Sequence, residues 1–177
     1  MILLDGPQGW KSNNNGLDHS RVCERSCNTP AKSGLPGATK PRTWLRFVEF
    51  SVRVFDELGR HGWKRLCDVT DVSDRTLVET FPFSAWRALG LPCLPAKQRA
   101  KATDLERCFR ALTDLVPIKL QGSLSHDQLQ AVIAGLAGLA LENHDPAGYA
   151  VTGLPPEIVD GVWREGFIVN PKRATNA

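Results

Sequence analysis

The sequence lacks any run of about 18 apolar residues, the length that a transmembrane helix requires. Its first residues include neither a basic segment nor a small-residue cleavage site, the two features of a signal peptide. A CxxC pair, an internal repeat and a low-complexity tract are also absent. These absences argue against a membrane-spanning or secreted protein and predict a cytoplasmic one.

Composition is ordinary for a globular chain, with 42% hydrophobic and 23% charged residues among 177. That length suits one domain with a packed core. We expect a single domain over residues 1–171 and a tail over 172–177.

Five cysteines, an odd number, are scattered along the chain. In a cytoplasmic protein they are expected to be reduced thiols, several of them buried. His19, Cys23 and Cys27 are spaced by four residues, so on one helix they would share a face and could bind zinc. Asn28, Thr29 and Pro30 would end such a helix, and no fourth ligand is apparent. Zinc binding is therefore the less favoured alternative.

Charge is unevenly distributed along the chain. Residues 1–66 contain 11 Lys and Arg against 6 Asp and Glu, whereas residues 67–177 contain 11 against 13. A basic first third could contact phosphates. An ordinary solvated surface is the simpler explanation of the same excess.

Hydrophobic periodicity predicts strands alternating with helices, and therefore an α/β fold. The predicted strands are 2–5, 77–79 and 166–171, and the predicted helices are 18–27, 43–58, 83–89, 97–115 and 126–142. Segments 6–16, 28–41 and 145–156 are predicted loops. The last helix, capped by Ser125, is apolar nearly all round, so we expect it to be buried, with Gly135 and Gly138 allowing close approach of another backbone.

Three carboxylates occur at the ends of predicted elements. Asp5 and Glu79 end strands, and Asp127 lies in the first turn of the last helix. The carboxyl ends of parallel strands meet at one crevice, where carboxylates can bind Mg²⁺. Two such ions can activate water and stabilise the leaving oxygen in phosphodiester cleavage. Alternatively each acid is a cap or turn residue, and Glu79 pairs with Arg75 or Arg87.

Several segments resemble a known family: LLDGPQGWK at 3–11, RVCERSC at 21–27, LVETFPFSAWRALGL at 77–91, SHDQLQAVIAGLAGLALE at 125–142 and WREGFIVNP at 163–171. They share the D-x-P, E-x-x-P and D-x-L-x-A motifs, in that order, with the predicted-nuclease family known as domain of unknown function 429. The resemblance covers residues 2 to about 171.

This resemblance implies a ribonuclease H-like fold, a mixed sheet flanked by helices. It also implies a nuclease that hydrolyses phosphodiesters with Mg²⁺ or Mn²⁺. By motif match, Asp5, Glu79 and Asp127 would be the catalytic and metal-binding acids. Arg21 and Lys97 would contact the phosphates of a nucleic acid.

The chain also departs from the family pattern. The N-terminal hairpin strands and their acid are missing before Met1, Gln130 replaces a second helix acid, and Glu24 and Cys27 replace an Asp and an Arg. We therefore expect low nuclease activity, an open edge on the strand 2–5 and a thin sheet. The alternatives are a non-catalytic nucleic-acid-binding or interaction domain, and a truncated gene product without independent function.

Overall fold

A mixed sheet of five strands organises the molecule, and a computed structural model describes residues 1–119 and 124–173 of it. The sheet contains β1 (Ile2–Asp5), β4 (Lys64–Arg65), β5 (Thr76–Thr80), β6 (Tyr149–Val159) and β7 (Val162–Pro171). Strands β2 (Lys32–Ser33) and β3 (Thr39–Lys40) pair separately. The helices are α1 (Val22–Cys27), α2 (Leu45–Arg60), α3 (Pro82–Ala88), α4 (Ala102–Leu115) and α5 (His126–Glu142), and a 3₁₀ turn at Arg42–Trp44 precedes α2. Mixed α/β architecture was predicted from the sequence and is confirmed.

Strand β5 is the centre of the main sheet. It pairs in parallel with β1, from Ile2 beside Leu77 to Asp5 beside Thr80. Its other edge is shared, because β4 pairs with its first residues and β7 pairs in parallel at Glu79. All five residues of β5 are buried, as expected of a strand covered on both faces and both edges.

The hairpin of β6 and β7 corrects two predictions. Residues 145–156 were expected to form a loop, but β6 begins at Tyr149, and β7 begins four residues before the strand predicted at 166–171. Pro155 and Pro156 conceal the strand in the sequence, and the register of β6 against β7 shifts at this point. The expectation of a thin sheet is therefore wrong, although β5 is the only described strand that pairs with β1.

Helix α5 covers one face of the sheet. Ala137 and Leu141 pack with Val78 and Val169, and a Cβ added at Gly138 would lie 2.6 Å from Leu3 Cδ1. Close approach thus occurs at Gly138, but to the side chain of Leu3 and not to another backbone as predicted. The prediction of close approach is wrong for Gly135, which has open space beside it, and the expected all-round burial is wrong for Leu139, which is 59% exposed.

Helix α1 packs on the hairpin of β6 and β7, and helix α2 packs on the N-terminal loop that contains Trp10. Cys23 and Cys27 of α1 pack with Ile168 of β7, and Val48 and Val52 of α2 pack with Trp10. These contacts hold the N-terminal loops against the strand ends.

The structure also bears on the zinc alternative. His19 precedes α1, so the helix face that it would have shared with Cys23 and Cys27 does not form. Within residues 1–119 and 124–173, no three His, Cys, Asp or Glu side chains are grouped as metal ligands. In the same residues, no helix is both long and apolar enough to cross a membrane.

Candidate functional site

A pocket of about 220 Å³ opens where the parallel strands β1 and β5 end. Asp5 and Glu79 both line it, as predicted from their positions at strand ends, and Arg21 lines it with them. The other lining residues are Gly6, Pro7, Glu24, Thr29, Pro30, Ala31, Trp44, Phe47, Thr80, Phe81 and Ile168. The sequence thus placed two of the three predicted acids and one predicted basic residue at one site.

Arg21 and Glu79 form a buried, two-pronged ion pair at this site. Arg21 Nη1 lies 2.7 Å from Glu79 Oε2, and Nη2 lies 2.6 Å from Oε1. The backbone N–H of Gln8 also donates to Glu79 Oε2, at 2.9 Å. Both Glu79 oxygens are therefore occupied by donors from the protein, in the planar geometry that suits a guanidinium and a carboxylate.

Glu24 is a second buried acid that binds Arg21. Arg21 Nε donates to Glu24 Oε1 at 3.0 Å, and the hydroxyl of Ser33 donates to the same oxygen at 2.6 Å. The backbone N–H groups of Arg21 and Ser33 donate to Glu24 Oε2. The Glu that departs from the family motif thus fixes the start of α1.

Glu165 is a third buried acid, and the sequence reasoning missed it. Its carboxylate accepts hydrogen bonds from the backbone of Ser12 and Val22 and from the amide of Asn15. Its own φ is +55°, a conformation that costs energy in a residue with a side chain. Its place in the WREGFIVNP segment is the signal that could have identified it.

Burial affects the ionisation of the Arg21–Glu79 pair. It raises the pKa of Glu79, and the charge and hydrogen bonds of Arg21 oppose that rise. Because both Glu79 oxygens accept hydrogen bonds, we treat the carboxylate as ionised and the pair as ionic. An ion pair of this kind is a structural unit rather than a free acid.

Asp5 differs from the other pocket acids. It is exposed at the rim, and no hydrogen bond or ion pair involves its side chain among the described residues. The pocket walls nevertheless keep water from part of the carboxyl, and this desolvation, followed by the negative charge of Glu79, raises the pKa of Asp5 to about 6. Asp5 is therefore the pocket carboxyl that is available to a ligand.

Asp127 and Lys97 do not line this pocket. They pair with each other in an exposed position at the start of α5, and the hydrogen bond from Lys97 lowers the pKa of Asp127. Gln130, which stands where the family has an acid, accepts a hydrogen bond at 2.9 Å from the buried indole of Trp86. The structure thus places Asp127 and Lys97 in a surface ion pair and Gln130 against the core residue Trp86.

The described residues do not fit the divalent metal that the resemblance implies. Such an ion needs several free oxygen ligands, but Arg21 and Gln8 occupy both oxygens of Glu79, and Asp127 is elsewhere. Asp5 alone is a poor site for Mg²⁺. We therefore derive no catalytic step through a metal.

Beside the pocket lies an exposed surface on the first turns of α2, which we call the α2 face. It consists of Arg42, Arg46, Phe47, Phe50 and Arg53. Phe47 is 39% exposed and Phe50 is 59% exposed. None of the three arginines takes part in a side-chain hydrogen bond or ion pair among residues 1–119 and 124–173.

No protein-family model, no curated protein and no solved structure matches this chain. The resemblance to domain of unknown function 429 therefore rests on the motifs alone.

Proposed function

We propose that this chain is a non-catalytic nucleic-acid-binding domain of ribonuclease H-like fold, which holds a single strand on the α2 face. The observation that carries the proposal is the combination, on that face, of two exposed phenylalanines with three arginines that have no side-chain partner in the described part of the chain. These arginines also belong to residues 1–66, the part of the chain in which basic residues outnumber acidic ones.

Exposed phenylalanine rings suit unpaired bases. Stacking of a base on an aromatic side chain is sequence-tolerant and contributes about 1–3 kcal/mol per base. A base pair within a duplex offers its edges but not its face, so Phe47 and Phe50 favour a single strand. Arginines between the rings can neutralise the phosphates that accompany the stacked bases.

Charge limits the extent of the binding surface. Glu49 lies among the arginines, but its one negative charge opposes three positive charges, so the face retains an excess of positive charge. Further along α2, Asp56 pairs with Arg65 and Glu57 pairs with Arg60, which cancels the charge there. The footprint therefore covers Arg42 to Arg53, about 16 Å of helix at 1.5 Å per residue.

The sheet is compatible with a ribonuclease H-like fold, because an antiparallel hairpin, β6–β7, adjoins parallel strands β5 and β1. A cytoplasmic setting belongs to the same proposal, since all five cysteines are free thiols. Metal-dependent hydrolysis, the activity that the resemblance implies, has less support because Arg21 occupies Glu79.

The test is fluorescence anisotropy with labelled single-stranded and double-stranded DNA and RNA, with and without Mg²⁺. We expect single strands to bind more tightly than duplexes and to remain uncleaved in Mg²⁺. If three arginines each neutralise a phosphate, log K should fall with log salt at a slope of about −2. Phe50→Ala should weaken binding roughly 5- to 150-fold, the equivalent of one stacked base.

Arg46→Glu should weaken binding and reduce the slope from about −2 to about −1.4, because two of the three arginines remain. Arg110→Glu provides the matched control. Arg110 is an exposed arginine on α4, outside the α2 face, and its side chain has no partner among the residues that the structure describes. Equal loss of affinity in both variants would mean non-specific charge attraction and would overturn the proposal. Capture of a protein partner without affinity for oligonucleotides would favour the interaction-domain alternative.

A further inference from the structure

The pocket at the ends of β1 and β5 has walls of a particular kind. Three aromatic side chains, Trp44, Phe47 and Phe81, contribute to its lining, together with aliphatic groups such as Ile168. Its volume of about 220 Å³ is below the ~300–1,000 Å³ of pockets for drug-sized ligands. It therefore suits a small ligand of one ring or a few branched carbon atoms.

Negative charge exceeds positive charge in this pocket. Three carboxylates line it, from Asp5, Glu24 and Glu79, against the single guanidinium of Arg21. Arg21 directs all three of its side-chain nitrogens to Glu24 and Glu79 and has none for Asp5. The amine of Lys32 comes close as well, but it binds the backbone oxygens of Glu24 and Thr29.

Asp5 is therefore the acceptor in the pocket that has no protein donor among residues 1–119 and 124–173. It stands at the rim of a cavity in which Arg21 binds the other two carboxylates and aromatic and aliphatic groups form much of the remaining wall. Water screens a charge there less than in bulk solvent. A ligand with a positive charge and an apolar body would satisfy both features.

We propose that this pocket binds a small organic ammonium ion, whose charge pairs with the Asp5 carboxylate while its carbon atoms contact Trp44, Phe47 and Phe81. Aromatic faces attract such cations through their quadrupoles, and recognition of ammonium ligands by grouped aromatic rings is a general solution. A hard metal ion is a poorer occupant, because apolar walls cannot replace its water ligands.

This pocket and the proposed nucleic-acid surface differ in the sign of their charge. The excess carboxylates would repel phosphates, whereas the arginines of the α2 face attract them. Phe47 belongs to both surfaces, so it is not a useful position for telling them apart. Asp5 and Phe81 belong to the pocket alone.

The experiment is isothermal titration calorimetry with two matched ligand pairs at neutral pH. The charged members are benzylamine, present as its ammonium ion, and choline; the neutral members are benzyl alcohol and 3,3-dimethylbutan-1-ol. We expect at least one charged member to bind about tenfold more tightly than its neutral partner. No detectable binding of either cation up to about 10 mM would overturn the proposal.

Asp5→Asn should remove the preference for the charged ligand, and Phe81→Leu should weaken the binding of the cation about threefold or more. Asp127→Asn, which removes an exposed acid on α5, is the control and should change nothing. Thermal unfolding of each variant confirms that it is folded. A preference that persists in Asp5→Asn would place the cation elsewhere and refute the assignment, whatever the oligonucleotide experiments show.

Discussion

At the scale of single residues, Asp5 shows how position alone changes the chemistry of a carboxyl group. Its neighbour Glu79 is deeper and more buried, yet Arg21 and Gln8 satisfy it completely. Asp5 has no such partner among the described residues, so burial and the charge of Glu79 raise its pKa to about 6. The pKa of Asp5 is therefore raised although the residue lies at the rim, because no protein cation or hydrogen-bond donor offsets these effects among the described residues.

This raised pKa predicts a pH dependence of folding stability. In the unfolded chain Asp5 has its ordinary pKa of 3.8, so between pH 4 and 6 the folded protein holds a proton that the unfolded chain has released. The stability that Asp5 contributes is present below pH 4 and is lost as the pH rises through about 6. A shift of this size corresponds to about 3 kcal/mol, which we reduce to about 1 kcal/mol because Asp5 reaches solvent.

Comparison of the wild type with Asp5→Asn isolates this effect, because all other titrating groups are shared. We expect the Asn variant to gain about 1 kcal/mol in free energy of unfolding at pH 7 and almost nothing at pH 4. Urea unfolding at intervals of pH measures the difference. A difference that does not change with pH would show that the Asp5 pKa is ordinary.

At the scale of elements, α5 shows how a small residue sets the distance between a helix and a sheet. Gly138 lies directly over Leu3 of β1, while Gly135, one turn earlier, faces open space. The two glycines are equivalent in sequence terms, and only the packing separates them. This pair offers a matched test of where α5 contacts the sheet.

Gly138→Val should destabilise the protein by about 1–3 kcal/mol more than Gly135→Val. Both variants change helix propensity equally, but only the first places a branched side chain within 3 Å of Leu3 Cδ1. Midpoints of urea unfolding for the two variants measure the difference. Equal midpoints would mean that α5 does not pack on β1 as the structure has it.

At the scale of the whole molecule, Arg21 and its ion pairs with Glu24 and Glu79, which we call the Arg21 centre, join segments that are far apart in the chain. The guanidinium connects the loop before α1 to Glu79 of β5, 58 residues away, and to the backbone oxygen of Glu165, 144 residues away. Loss of the Glu79 charge leaves the buried guanidinium of Arg21 with Glu24 but without its two-pronged partner, which is costly inside a protein. The centre should therefore act as a structural tie and not as a metal site.

Glu79→Gln tests this distinction. We expect it to lower the free energy of unfolding by about 3–5 kcal/mol, whereas Glu157→Gln, which changes an exposed glutamate of β6, should have little effect. Mg²⁺ at millimolar concentration should not alter the Tm of the wild type. A rise in Tm with Mg²⁺ that Glu79→Gln abolishes would instead support the metal site that the resemblance implies.

An element of the fold could be predicted where its own residues and their immediate neighbours in the sequence indicated it. Helix α5 has the predicted bounds because Ser125 caps it, accepting from the N–H of Gln128, and an unbroken apolar segment follows. Strands β1 and β5 were predicted because both are short apolar runs that end in an acid. Strand β6 was not, because Gly153, Pro155 and Pro156 hide a strand that its pairing with β7 stabilises.

The amino-acid sequence by itself determined the α/β class, the main helices and the meeting of Asp5 with Glu79, since these follow from periodicity and from the geometry of parallel strands. Tertiary structure alone decided which acids are free. Glu79 is bound because Arg21 folds against it, Asp127 is drawn to Lys97 at the surface, and Asp5 remains without a partner in the described residues. Ion pairing depends on distances of a few ångströms between residues far apart in the chain, and no spacing in the sequence records them.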